Sequence, residues 1–415
     1  MIHWYCERLH RWTGLLIAVF LVVVGLTGSI LAFQWRIDRL LNPQLHVFSP
    51  SQEPFLGLAT LAEDAEASDP HLRVNYFWVD RDQARVVVSG RTDPSTGMPY
   101  ELGYSVIILN PWNGAVLGRE GMEGSWTGPE PWRRKVLPFV YSLHTSLATN
   151  TSTGWTVVGI VALLWTLDSF VGFYLTLPRG TGRFWPRWRQ AWRVKWKASS
   201  MRVHFDLHRA GGLWLWPLLF VFGWSSVMLG LPGVYEPVMK HAFSYITNSQ
   251  SIAEHSLPKP LETPALDWRQ AQEIGERTMA EEAALHHFTV LRPYGMAYVD
   301  AYGAYTYCVR SSIDFRSEGW DTSVLLDGNT GRLRSIDLPR GQHTGNTIST
   351  FLWAIHYGDL HDSLPYRILV CAFGILVTTL SYTGVVIWWR KRKARSRFKP
   401  DLRSNRAEIQ ELSRG

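Results

Sequence analysis

Four long apolar runs limit what this chain can fold into more than any other feature. Thr13 to Phe33, Trp155 to Leu177, Ala210 to Tyr235 and Ile368 to Trp389 are each at least 21 residues long. Three carry no charged residue and the second carries only Asp168. With a rise of about 1.5 Å per residue, about 20 apolar residues cross the hydrocarbon core of a bilayer. A mean hydropathy near zero hides this segregation, because longer polar stretches separate the runs. The reading is an α-helical integral membrane protein with four transmembrane helices. The first run is too long for a signal peptide and no small-x-small site closes it before Gln34-Trp35-Arg36, so it reads as a retained helix.

Basic residues set the expected orientation. Between the second and third runs lie Arg179, Arg183, Arg187, Arg189, Arg193, Lys195, Lys197, Arg202 and Arg209, against the single acid Asp206. Arg390-Lys391-Arg392-Lys393 follows the fourth run, and Arg8 and Arg11 precede the first. By the positive-inside rule both termini and the middle loop are cytoplasmic. The net charge of +7 is then mostly membrane-anchoring charge, with no recognition fold to suggest nucleic acid. This topology divides the chain into a first helix (1–35), an outside segment with a re-entry stretch (36–153) and a second helix (154–178). A basic cytoplasmic loop (179–207), a third helix (208–235), a second outside segment (236–365), a fourth helix (366–390) and a basic tail (391–415) complete it.

Each outside segment exceeds 100 residues, enough for a small domain. Leu56 to Ser68 and Asp267 to Leu285 have helical patterns, and Asp267 is a plausible N-cap. Val106 to Leu117 and Val324 to Leu333 read as strand, glycine turn, strand, with Asn and Gly supplying the positive φ of tight turns. Each segment is expected to be a separate helix-on-sheet α+β domain.

The two halves repeat. Leu9-His10-Arg11-Trp12-Thr13-Gly14-Leu15 opens the first run, and Leu207-His208-Arg209-Ala210-Gly211-Gly212-Leu213 opens the third. Each His is followed by Gly at +4 and at +15, the latter Gly25 and Gly223. His144 and His356 precede the second and fourth runs, and at one and the same spacing each is followed by a Gly, Gly172 and Gly384. Both halves begin and end inside, so they form a parallel repeat about an axis along the membrane normal. Under that two-fold pseudo-repeat His10 faces His208 on the cytoplasmic side and His144 faces His356 on the outside. Such facing pairs suit axial ligation of two haems. The alternative is that each His is an interfacial anchor, which is the usual role of a single such residue and a poor account of four at matched positions. The three cysteines, Cys6, Cys308 and Cys371, include no Cys-x-x-Cys-His, so the haems would be b-type, without covalent attachment.

Several residues stay open on sequence. His204 lies one turn before His208 and could replace it, although it has no partner in the first half; His361 likewise lacks a counterpart. His71, His241, His255, His286, His287 and His343 read most simply as solvated or structural. Arg11 and Arg209 could meet haem propionates. Gly14, Gly211, Gly212 and Gly358 would let a flat macrocycle approach, although helix packing alone also explains small residues. Asp168 could bond the second nitrogen of a ligating imidazole, relay a proton beside a quinol, or close a packing contact.

The His-Arg-x-x-Gly-Leu openings, the duplicated outside hairpins and the Leu143-His144 and Ile355-His356 re-entries together resemble the PepSY-associated transmembrane proteins, iron-regulated inner-membrane proteins of Gram-negative bacteria. The resemblance runs from His10 to about Arg392. It implies two periplasmic PepSY-like α+β domains and a multi-pass protein of the bacterial inner membrane. Some members are di-haem siderophore reductases, which implies an enzyme passing electrons across the membrane to a ferric siderophore, a hydroxamate among the options. The haem roles transfer to His10, His208, His144 and His356. With no Rossmann fingerprint or flavin-binding stretch, electrons would come from quinol or a separate reductase. Two other classes compete: a siderophore or iron permease component, and a non-enzymatic periplasmic binding or assembly module.

Overall fold

The computed structural model describes residues 1–48, 54–121 and 131–397. The rest of the expected 391–415 tail lies outside the described residues. Four helices are long and apolar enough to cross a membrane: α1 (Ile2–Leu31), α5 (Ser152–Leu175), α7 (Ser200–Gly230) and α12 (Leu364–Arg397). They mark a multi-pass membrane protein. Two of them differ from the apolar runs in an instructive way. Helices α1 and α7 begin well before their runs, so His10 and His208 are each the ninth residue of a helix rather than its first. Helix α7 stops at Gly230, where Pro232 starts the separate helix α8 (Pro232–Ala242), because proline is at home in a first turn and unfit for an interior one.

The chain divides into two compact units. Unit 1 comprises Met1–Leu26, Ile160–Trp224 and Ala372–Gly415, and unit 2 comprises Thr27–Gly159 and Ser225–Cys371. In unit 1, two close helix crossings recur at matched glycines. A Cβ on Gly25 would sit 2.7 Å from the Gly374 carbonyl and 2.8 Å from Thr378 Oγ1; one on Gly223 would sit 2.7 Å from Thr166 Oγ1. Small residues bring helix backbones together where no hydrophobic force between helices exists. Short helix α6 (Phe184–Trp188) lies in the basic loop.

Unit 2 is built on one sheet. The described strands are β1 (Leu72–Asp80), β2 (Gln83–Gly90), β3 (Val106–Leu109), β4 (Val116–Glu120), β5 (Val290–Val299), β6 (Ala304–Ser311), β7 (Thr322–Asp327) and β8 (Leu333–Asp337). They run β4-β3-β2-β1-β5-β6-β7-β8, every neighbour antiparallel. The expected strand–turn–strand pairs are β3–β4 and β7–β8, and Gly114 and Gly331 hold the positive φ that closes them (71° and 69°). Helix α3 (Leu58–Ala67) and helix α10 (Trp268–Leu285) fall where their periodicity places them, α10 behind an Asp267–Gln270 capping box.

The expectation of two separate outside domains is corrected. Strands β1 and β5 pair through Tyr76–Ala297, Phe77–Met296 and Trp78–Gly295, joining both segments into one sheet. One core takes Leu61, Leu72 and Phe77 from the first segment and Trp268, Met279, Met296 and Tyr307 from the second. Gln272 on α10 accepts from the Ala59 amide of α3 at 2.6 Å. The reason is edge chemistry: alone, each half-sheet would end on β1 or β5 with unpaired amides and carbonyls, and the pairing covers the middle of both edges at once.

Connecting helices complete the described part of unit 2. They are α2 (Gln34–Leu41), α4 (Trp132–Ser146), α9 (Asn248–His255) and α11 (Thr344–His356).

Candidate functional site

In unit 1 the imidazoles of His10 on α1 and His208 on α7 face each other with ring centres 6.0 Å apart and planes tilted by 48°. Each ring lies against a glycine of the following long helix. A Cβ on Gly172 of α5 would come within 3.3 Å of His10 Cε1, and one on Gly384 of α12 within 3.1 Å of His208 Cε1. These are the glycines that follow His144 and His356 at equal spacing in the sequence; their role is to make room for the opposite histidines. The second ring nitrogens are tied down. His10 Nδ1 lies 2.9 Å from Asp168 Oδ2, and His208 Nδ1 lies 3.0 Å from the Leu380 carbonyl and 3.2 Å from Thr383 Oγ1. A carboxylate and a carbonyl only accept, so both imidazoles donate from Nδ1. In the neutral ring that leaves the Nε2 lone pair for another partner. Asp168 therefore does bond an imidazole.

In unit 2 His144 closes the last turn of α4, and His356 is the last residue of α11. Their ring centres are 6.2 Å apart with planes at 61°. Here the Nδ1 partners are hydroxyls, Thr27 Oγ1 to His144 at 2.9 Å and Ser225 Oγ to His356 at 2.8 Å. A Cβ on Gly28 would stand 3.1 Å from His144 Cε1. Desolvation, with the His144 ring alongside, pushes the His356 pKa down to about 3, so the imidazole is neutral. The sequence reading missed Thr27 and Ser225, yet a signal existed. Thr27 stands as far beyond His10 as Ser225 stands beyond His208, so the pair obeys the same repeat as the opening motif.

Further contacts fix the chain beside His356. Asp359 accepts from the Ser317 and Glu318 amides, both at 3.1 Å, and Asp362 pairs with Arg81 at 2.7 Å and Arg367 at 2.8 Å. Burial, followed by repulsion from Asp80, pushes Glu318 up to about 8. A second unforeseen residue is His46, which is fully buried between Asp82 (3.1 Å from Nδ1) and Asp38 (3.0 Å from Nε2). Burial alone would lower its pKa, but bonds to Asp38 and Asp82 outweigh burial and raise it to about 9. It is a charged clasp between α2 and the β1–β2 turn.

The remaining histidines do not join either pair. His204 spends Nδ1 on the Ser200 carbonyl at 2.7 Å; His343 bonds Ser244, His255 bonds Ser335, and His71 and His286 contact Asp69 and Glu282. His241 is exposed, while His287 and His361 occupy positive-φ positions. Arg209 is held by Asp206 at 2.8 Å and by the Gln190 carbonyl at 3.0 Å, whereas Arg11 forms no ion pair among the described residues. Among those residues no group of three or more His, Cys, Asp or Glu side chains is placed to hold a metal ion.

The family model of the PepSY-associated TM region matches residues 7–391, a span that includes both histidine pairs and all eight described strands. The chain belongs to the PepSY-associated transmembrane family. No curated protein matches it.

Proposed function

We propose that this protein is a haem-dependent oxidoreductase of the bacterial inner membrane that carries electrons through two b-type haems to a ferric siderophore outside. The observation that carries the reading is the spacing of the two pairs. A metal–imidazole bond is about 2.0–2.1 Å. A five-membered ring with bonds of about 1.33 Å has its atoms about 1.15 Å from its centre. Two imidazoles gripping one metal through Nε2 thus have ring centres about 6.3 Å apart, close to the 6.0 and 6.2 Å seen here. Two imidazoles are an incomplete donor set for a lone ion and a complete one for a metal already held by a macrocycle.

The backbone beside the first pair fits a flat ring. Gly212, one turn after His208 on the same face, has nothing within 4 Å of its Cβ position, and Gly14, one turn after His10, has only Asp168 Oδ2 at 4.0 Å. His10 and His208 would hold the cytoplasmic haem and His144 and His356 the outer one, with both termini inside by the basic-residue rule. Bound haem would supply a one-electron relay at each pair, held by its two histidines. The protein orients each ring through its Nδ1 bond, and for His10 and His208, whose partners include a carboxylate and a carbonyl, that bond also fixes the tautomer. The family resemblance supplies the substrate class, a ferric siderophore such as a hydroxamate. Its reduction weakens the chelate, because Fe(II) binds hard oxygens less tightly than Fe(III). Quinol or a separate reductase would donate the electron.

The test is pyridine-haemochrome analysis of the purified chain. Two haems per polypeptide are expected, with a low-spin spectrum whose dithionite-reduced form a ferric hydroxamate reoxidises. A colourless protein from haem-replete cells, or an unchanged spectrum after replacing all four histidines by Ala, refutes the reading.

A further inference from the structure

Three of the four imidazoles in the two pairs have a neutral partner at Nδ1, and one does not. Among the described residues and the bonds found at Nδ1, His208 meets a carbonyl and a hydroxyl, His144 and His356 meet hydroxyls, and His10 meets a carboxylate. The residue matching Asp168 in the second half is Leu380, which contributes only its backbone carbonyl. Asp168 is 8% exposed, and its other oxygen has no hydrogen-bond partner among the described residues. Its one ion-pair contact among them is His10. The carboxylate is therefore buried, with one oxygen directed at a single imidazole.

We propose that Asp168 is the positioning residue that makes the His10–His208 haem the lower-potential of the two, so that electron transfer from this pair to the His144–His356 pair is downhill. The inference rests on the haem reading above. A carboxylate accepting from Nδ1–H gives the imidazole imidazolate character and strengthens it as a donor to iron. The ferric form carries one more positive charge than the ferrous form, so an adjacent anion in a low-dielectric setting favours it and lowers the potential. Hydroxyls and a carbonyl offer only dipoles. In the transfer itself one centre loses an electron and the other gains it. No bond forms or breaks, and His10 keeps its Nδ1 proton.

The experiment is optical redox titration of the haem-loaded full chain, comparing wild type with D168N, D168E and a His356→Ala variant. Wild type should show two midpoints. D168N, which keeps the acceptor oxygen and removes the charge, should raise the lower midpoint by about 59 mV or more, a tenfold change in a one-electron equilibrium, and leave the upper one in place. D168E should restore the lower value. The haem left in His356→Ala should have the lower midpoint. An unmoved lower midpoint in D168N overturns the inference, as does a high midpoint in His356→Ala. Equal loss of one haem from D168N and D168E also overturns it, since the carboxylate would then be a structural prop. Failure of the wild-type chain to bind haem would sink the function proposed above; two haems indifferent to Asp168 would sink this inference alone.

Discussion

Replacing Gly384 by Ala places a methyl carbon 3.1 Å from Cε1 and 3.6 Å from Nδ1 of His208. Non-bonded carbons settle at about 3.5–4.0 Å, so the imidazole must retreat by roughly half an ångström. It is poorly free to do so, because Nδ1 is anchored to the Leu380 carbonyl at 3.0 Å, one turn earlier on the helix that carries the new methyl. Overpacking of this kind costs about 1–3 kcal/mol. If the strain falls on ligand geometry, haem at this pair is held roughly 5- to 150-fold more weakly. Gly172→Ala meets His10 at 3.3 Å and should show the same effect, smaller. Gly233→Ala is the control, since nothing lies within 4 Å of its Cβ position. Haem titration of apoprotein, followed by Soret absorbance, should show one weakened binding step and one unchanged step for Gly384→Ala. If Gly384→Ala and Gly172→Ala both take up two haems with the affinity and spectrum of Gly233→Ala, the glycines do not support the imidazoles and the reasoning fails.

Three further outcomes follow from the packing. The His46 pKa is raised to about 9 in the folded protein, so its roughly 3 kcal/mol of stability is fully present below its unfolded pKa of about 6.5 and lost as pH rises through 9; thermal unfolding of wild type and His46→Gln should differ at pH 6 and converge by pH 10, and an equal gap at both would show that the clasp carries no charge. Gly25→Ala should destabilise by about 1–3 kcal/mol through the Gly374 carbonyl, and Thr378→Ala should rescue it little. Gly223→Ala, which chiefly meets the Thr166 side chain, should be largely rescued by Thr166→Ala. Equal rescue in both denaturation series would contradict these contacts.

The sequence alone determined the four membrane-crossing helices, the positions of α3 and α10, two of the hairpins and which histidines pair. Each depends on a periodicity or spacing that local physics reads directly: apolar length against bilayer thickness, the 3.6-residue stripe, positive φ at Gly114 and Gly331, and offsets repeated between halves. Only the tertiary structure decided that β1 and β5 fuse the two outside segments into one sheet, because hydrogen bonding between strands so distant along the chain leaves no local pattern in either one. The same holds for the Asp168 bond to His10, for His46 between Asp38 and Asp82, and for the rings seated on Gly172 and Gly384. A carboxylate in an apolar run announces that it must have a partner, since an isolated charge there is too costly; which imidazole it finds is fixed by how α1 and α5 pack.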